Sequence, residues 1–162
     1  MTGMLSFNRA VLAILFSAAA VPALAQSQSG DDPRQFITLY LDALSSNRWE
    51  ELVPPFMPTK EVADDFVAQH RVFRKAFADY TARLKHLAVE GDRAIAWLRI
   101  RARHVAAFPY DEFAGAVPDG KALEWEEVWY FDVNGGKFGG EWDFLVNGVA
   151  RMKALGVRCL VD

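Results

Sequence analysis

Glu127 lies in a stretch, Ala122 to Val133, whose side chains alternate between two faces as in a strand. Parity puts it with Leu123, Trp125, Trp129 and Phe131, while Glu124 and Glu126 take the other face. A carboxyl group among indoles is costly to desolvate unless it is paired, and burial favours its protonated form. Such a group suits proton transfer to or from a small molecule. Two other readings stay open: a buried ion pair with an arginine, or a bulge that turns Glu127 outward. His104 ends a second alternating stretch on the side of Leu98 and Ile100. Its imidazole could act as acid or base near neutral pH, or could be a hydrogen-bonded rim histidine. His70 sits between Phe66 and Phe73 on a helical stripe, as a ligand contact or a satisfied core histidine. Tyr40 is expected to pack with its hydroxyl near the same hollow. Leu98, Ile100, Trp125, Trp129 and Trp142 are the expected apolar ligand-binding wall, and Asp143, opposite Trp142, is expected in solvent.

Other chemistries leave no trace. His70, His86 and His104 form neither an HxH nor an HExxH pattern, and Cys159 is the single cysteine, so no metal site is expected. There is no phosphate-binding loop, dinucleotide fingerprint or nucleophile elbow. Gly135-Gly136 and Gly139-Gly140 read as a turn and a bulge. Any reaction is therefore expected to be proton transfer without a cofactor. A formal net charge of −3 offers nucleic acid no basic footprint.

These groups need elements to hold them. The chain has 162 residues and is 52% hydrophobic, enough for one core. Pro33 opens a helix behind Asp31 and Asp32, with Phe36, Ile37, Tyr40, Leu41 and Leu44 on its apolar face; Ser45-Ser46-Asn47 ends it. A short helical turn follows over Trp49 to Val53, then a proline-rich loop. Thr59 caps a longer helix, Lys60 to Tyr80, striped by Val62, Phe66, Phe73, Phe77 and Tyr80. From there the period is two. Strands are predicted over Leu84–Val89, Arg93–Val105, Ala122–Val133 and Lys137–Val146. Glu90-Gly91-Asp92 and Asn134-Gly135 mark turns, and Ala106 to Gly120 a long loop that could lid the hollow. Arg99, Arg101 and Arg103 share a face and can pair across to Glu124 and Glu126. Helices first and an antiparallel meander after them make an α+β domain over 33–162.

The chain begins differently. Arg9 precedes an uncharged apolar run, Ala10 to Val21, and Ala23-Leu24-Ala25 presents small residues where a signal peptidase cuts. Residues 1–25 are thus expected to be a signal peptide cleaved after Ala25, and 26–32 a flexible leader. The mature protein would be periplasmic or secreted, with no membrane attachment after cleavage.

Several short pieces occur in a suggestive order: Phe77-Ala78-Asp79-Tyr80, Glu90-Gly91-Asp92-Arg93-Ala94, the strand ending at His104, Phe113-Ala114-Gly115 with Gly120-Lys121, Asn134-Gly135-Gly136-Lys137-Phe138, Glu141-Trp142 and Leu155-Gly156-Val157. Over about Pro33 to Val157 the chain resembles the SnoaL-like polyketide cyclase (ester cyclase) family of the nuclear transport factor 2-like superfamily. The resemblance implies a cone: a bent antiparallel sheet wrapped round the N-terminal helices, with an apolar pocket at its open end. It also implies a small apolar or aromatic ligand, and homodimers paired through the outer sheet face; the arginine row there is too polar for an obligate apolar interface. The sequence departs from the family at one catalytic position. Where the polyketide cyclases carry an aspartate, eight residues before the closing Leu-Gly, this chain has Asn147, which cannot exchange protons near neutral pH. Asp143 is the nearest carboxylate, and Glu141 and Trp142 are contiguous where the family spaces them by one.

Two functions follow as expectations. One is a cofactor-free lyase, isomerase or cyclase, with Glu127 or His104 as base and Tyr40, His70 or Asn147 donating to a developing oxyanion. The other is an exported binding domain without chemistry.

Overall fold

The computed structural model describes residues 32–108 and 116–146. The proposed export segment, the leader up to residue 31, residues 109–115 of the long loop, Asn147 and Cys159 lie outside the described residues.

Helix α1 spans Pro33–Ser45. Asp32 caps it by accepting the Arg34 N–H at 2.9 Å, and Pro33 occupies the first helical position, where a missing N–H costs nothing. Its buried face is the predicted one: Phe36, Ile37, Tyr40, Leu41 and Leu44. Helix α2, Trp49–Leu52, is a single turn, followed by a 3-10 turn over Pro54–Phe56. Helix α3 spans Lys60–Ala76, capped by Thr59 through the Val62 N–H at 3.2 Å. Arg74 and Lys75 lie in its last turn, where cations complement the helix dipole.

Strands β1 (Phe77–Glu90), β2 (Arg93–His104), β3 (Ala122–Asn134) and β4 (Lys137–Val146) form one antiparallel sheet in the order β1-β2-β3-β4. The sheet is curved and unclosed, and the architecture is α+β as expected. Ala82, Ala94, Ala96 and Ala102 point inward, and these small side chains leave room for α1 to settle on the concave face beside Leu98, Ile100 and Phe131. At the edge, Ser45 Oγ accepts the Ala82 N–H at 3.0 Å, so the end of α1 covers part of β1.

Two boundaries differ from the sequence reading. The long helix stops at Ala76 rather than Tyr80, and β1 starts at Phe77 rather than Leu84. Spacings of four and three between Phe73, Phe77 and Tyr80 imitate a helical stripe. In the fold, Phe77 pairs with His104 on the sheet, and a bulge between Ala78 and Thr81 changes the strand's phase. Asp79 adopts φ 55° there, so Phe77, Tyr80 and Ala82 are all buried despite their mixed parity. The β3–β4 turn falls where Asn134-Gly135 and Gly135-Gly136 signal it, with Gly135 and Gly136 as its two central residues at φ of 58° and 73°. A type I′ turn needs positive φ at both places, which glycine adopts without a Cβ penalty.

The outer face carries the predicted ladder. Arg101 donates to Glu124 at 2.6 Å, and Arg99 lies 3.2 Å from the same carboxylate. Glu126 takes Lys85 at 2.5 Å and the Trp97 indole N–H at 2.8 Å. Arg103 departs from the expected pattern and pairs with Asp79 in the bulge. These pairs face solvent, so screening leaves each of them little weight in stability.

Candidate active site in the helix–sheet cavity

Helix α3 stands off the sheet. Only Ala63 and Ala76 of it are fully buried, while Val62, Phe66 and Phe73 are partly buried because a hollow lies beneath them. The inner chamber has a volume of about 160 Å³ and is lined by Tyr40, Leu44, Phe66, His70, Phe73, Tyr80, Glu127, Trp129 and Phe144. A wider outer chamber of about 480 Å³ adds Val62, Asp65, Gln69, Phe108 and Trp142. Phe66, His70, Phe73 and Phe144 line both, so the two are continuous.

Glu127 supplies the inner chamber's carboxylate and is only 8% exposed. Among the described residues it has no arginine partner, and no bulge turns it outward. Its two oxygens are instead held by its neighbours on the strand face: Trp125 Nε1–H donates to one at 2.7 Å and Trp129 Nε1–H to the other at 2.8 Å. Residues two apart on a strand share a face, so both indoles reach inward from either side. The run Trp125-Glu126-Glu127-Val128-Trp129 encodes this cradle directly. Each oxygen keeps a further lone pair for a ligand.

Tyr40 faces this group from α1. Its side chain is wholly buried, and among the described residues its hydroxyl has no hydrogen-bond partner. Burial first, and the Glu127 charge second, push that hydroxyl far above the ordinary tyrosine range. It therefore stays protonated, a donor without an acceptor. His70 stands on the opposite wall, its ring stacked between Phe66 at 5.1 Å and Phe73 at 5.6 Å. Burial, aided by the nearby Arg74 charge, pushes its pKa down to about 3.

That depression has a stability consequence of definite sign. Unfolded, the imidazole binds a proton near pH 6.5; folded, it does not until about pH 3. Its contribution is complete above pH 6.5 and is lost as pH falls toward 3, with a slope of up to about 1.4 kcal/mol per pH unit. Urea unfolding at pH 7.5 and 5.0 should show the wild type losing stability across a window above the carboxylate range. His70→Gln should flatten that loss, and an unchanged slope would refute the assignment.

The remaining expected site residues are dispersed. Trp129 lines the inner chamber and Trp142 the outer one. Trp125 stands behind Glu127 rather than on the wall, and Leu98 and Ile100 are wholly buried core residues beneath it. His104 is buried and stacks on Phe77 at 5.2 Å, and its Nε2 has no partner among the described residues. It shares the inward face with Glu127 but not its location. Glu127 is opposite Leu98 in the register, six residues up β2 from His104, which is about 20 Å of strand. The two cannot act on one substrate atom. Asp143 is exposed, as its parity predicts. Phe66, Phe73, Tyr80, Phe144 and Arg74 are the site residues that pattern alone did not single out.

A family model described as SnoaL-like polyketide cyclase matches residues 37–155. The chain belongs to that family. Solved structures of like fold include TsrD from Streptomyces laurentii, at 20% identity and TM-score 0.58, covering 77% of this chain and 95% of that one. A SnoaL-like polyketide cyclase from Agrobacterium tumefaciens shows 16% identity and TM-score 0.58, over 76% of this chain and 97% of its own. An NTF2-like protein from Burkholderia thailandensis shows 18% identity and TM-score 0.55, over 76% and 96%. At these identities the likeness carries the fold alone. No curated protein matches significantly. In this SnoaL-like protein, then, Glu127 sits within the cavity while Asp143 is exposed.

Proposed function

We propose that this SnoaL-like protein is exported, acts in the periplasm or outside the cell, and catalyses cofactor-independent proton transfer on a small apolar or aromatic carbonyl compound, as a lyase, isomerase or cyclase. The observation that carries this reading is the Glu127 carboxylate, set by two indole donors in an apolar chamber beside the Tyr40 hydroxyl, which has no partner among the described residues. Glu127 takes the acidic C–H proton, and Tyr40 and His70 donate to the oxygen on which charge develops. Apolar walls exclude water, which strengthens each of these interactions. Asn147 replaces the family aspartate in sequence, so the base has moved to Glu127.

The alternative is a ligand carrier without turnover, favoured by that same asparagine. Hydrogen–deuterium exchange separates the two. The folded protein in D2O should accelerate loss of the α-protons of 2-tetralone, a compact bicyclic ketone, above the buffer rate. Binding of the ketone without any acceleration would favour the carrier. A homodimer joined by the outer sheet face belongs to the same proposal. It is supported by the exposure there of Ile95 (49%) and Trp97 (39%), and light scattering tests it.

A further inference from the structure

We propose that Arg74 is a positioning residue: by donating to His70 Nε2 it holds His70 in the neutral Nδ1–H form, a fixed donor on the cavity wall, so that the ligand must present an acceptor oxygen to it. This rests on the reading of the cavity as the ligand site.

The argument starts from what each group can do. A guanidinium has only donors. Arg74 Nε lies 3.2 Å from His70 Nε2, so that nitrogen must offer its lone pair and the ring proton resides on Nδ1. Arg74 cannot easily swing away. It donates to the carbonyl oxygens of Leu44 at the end of α1 and of Tyr80 on β1, the latter at 3.3 Å. Its guanidinium lies over the Tyr80 ring at 4.6 Å and the Trp49 ring at 5.7 Å. The imidazole is held as firmly, between two phenyl rings on α3 and against the edges of Trp49 and Tyr80. With Nε2 occupied, Nδ1 is the ring nitrogen left for a ligand; the ring's hydrogen bond among the described residues is the one from Arg74 to Nε2.

The surroundings maintain this state. Around His70, α3 contributes Arg74 and, at the chamber mouth, Asp65; β1 contributes Tyr80 and α2 the neutral Trp49. Across the inner chamber stand Tyr40 of α1 and Glu127 of β3. The adjacent guanidinium opposes any second proton on the ring. His70 is then neither base nor acid but a neutral donor, and the described lining of the inner chamber has a polarity: an acceptor, Glu127, facing donors at His70 and Tyr40. A ligand with an acidic C–H beside a carbonyl or enolate oxygen matches that pattern, and a plain hydrocarbon does not.

Nitrogen-15 NMR of the side-chain-labelled full-length protein tests this without a ligand. In the wild type, His70 should show a pyrrole-like Nδ1 and a pyridine-like Nε2, unchanged from pH 8 to pH 5. A pyridine-like Nδ1, or titration of His70 near pH 6.5, would overturn the proposal. Arg74→Met removes the donor and should release the ring to the Nε2–H form and to titration in the ordinary histidine range, while Arg74→Lys should restore the wild-type pattern. Should Arg74→Met fail to fold, the wild-type spectrum alone decides. An unchanged tautomer in a folded Arg74→Met protein would also count against Arg74 as its cause. This spectrum is independent of turnover, so a failed tautomer assignment leaves the role of Glu127 standing, and the reverse holds too.

Discussion

Glu127→Gln should lower protein-catalysed α-proton exchange by about 10²- to 10⁴-fold, the usual worth of a positioned general base. The substitution keeps size and removes the proton acceptor. It also upsets the cradle. The side-chain oxygen of glutamine can still accept from one indole, but its NH2 group meets the other indole N–H donor to donor. One buried N–H is left without a partner, at a cost of about 1–3 kcal/mol. The expected variant is therefore folded, measurably less stable, still able to bind a neutral aromatic ketone, and nearly silent in exchange. NMR exchange rates and urea unfolding on the same samples separate these effects. Undiminished exchange in a folded Glu127→Gln protein would remove the carboxylate from the chemistry.

Phe138→Ala should be the most damaging of the core truncations, at about 3–5 kcal/mol. Its ring is 1% exposed and sits at the junction of both layers. It meets Phe36 edge-on at 4.9 Å and Tyr40 edge-on at 4.8 Å from α1, and Phe131 at 5.7 Å and stacked Trp142 at 5.2 Å from the sheet. Removing it leaves four aromatic rings facing a void, and these pairs carry specific geometry beyond their buried area. A domain of this size has only about 5–15 kcal/mol in hand. Urea midpoints with an unchanged m-value would report the loss directly; a shift worth less than about 1 kcal/mol would show that α1 is anchored elsewhere. Because Tyr40 rests on this ring, a folded Phe138→Ala protein should also bind its ligand more weakly.

The burial of Glu127 beside Trp125 and Trp129 was readable from strand parity alone, because a period of two leaves little choice of face. Its partners were not, since parity says which groups share a face but not which of them fold onto one another. His104 illustrates the same limit. It has the right face and the wrong position along the strand, and only the register across to β3 reveals the separation. The α3–β1 boundary was obscured because aromatic spacing is blind to a bulge: Asp79, in a left-handed conformation, produces on a strand the interval that a helix produces by winding. Phe66 and Phe73 were visible as an apolar stripe. That the stripe borders a hollow rather than a packed core depends on the distance of α3 from the sheet, which no local pattern encodes. Arg74 falls off the apolar stripe of its helix, yet it reaches inward past His70 to the backbone carbonyls of Tyr80, nearby in sequence, and of Leu44, thirty residues away. Long, flexible cations are the residues whose final position periodicity constrains least.

The paired indoles give the chamber a built-in optical gauge. Two of the chain's five tryptophans touch the same carboxylate, so any event that neutralises, displaces or occupies that group perturbs both emitters together. Occupancy could then be followed in unlabelled protein by its own fluorescence, with Trp97, bonded to Glu126 on the outer face, as a steady internal background.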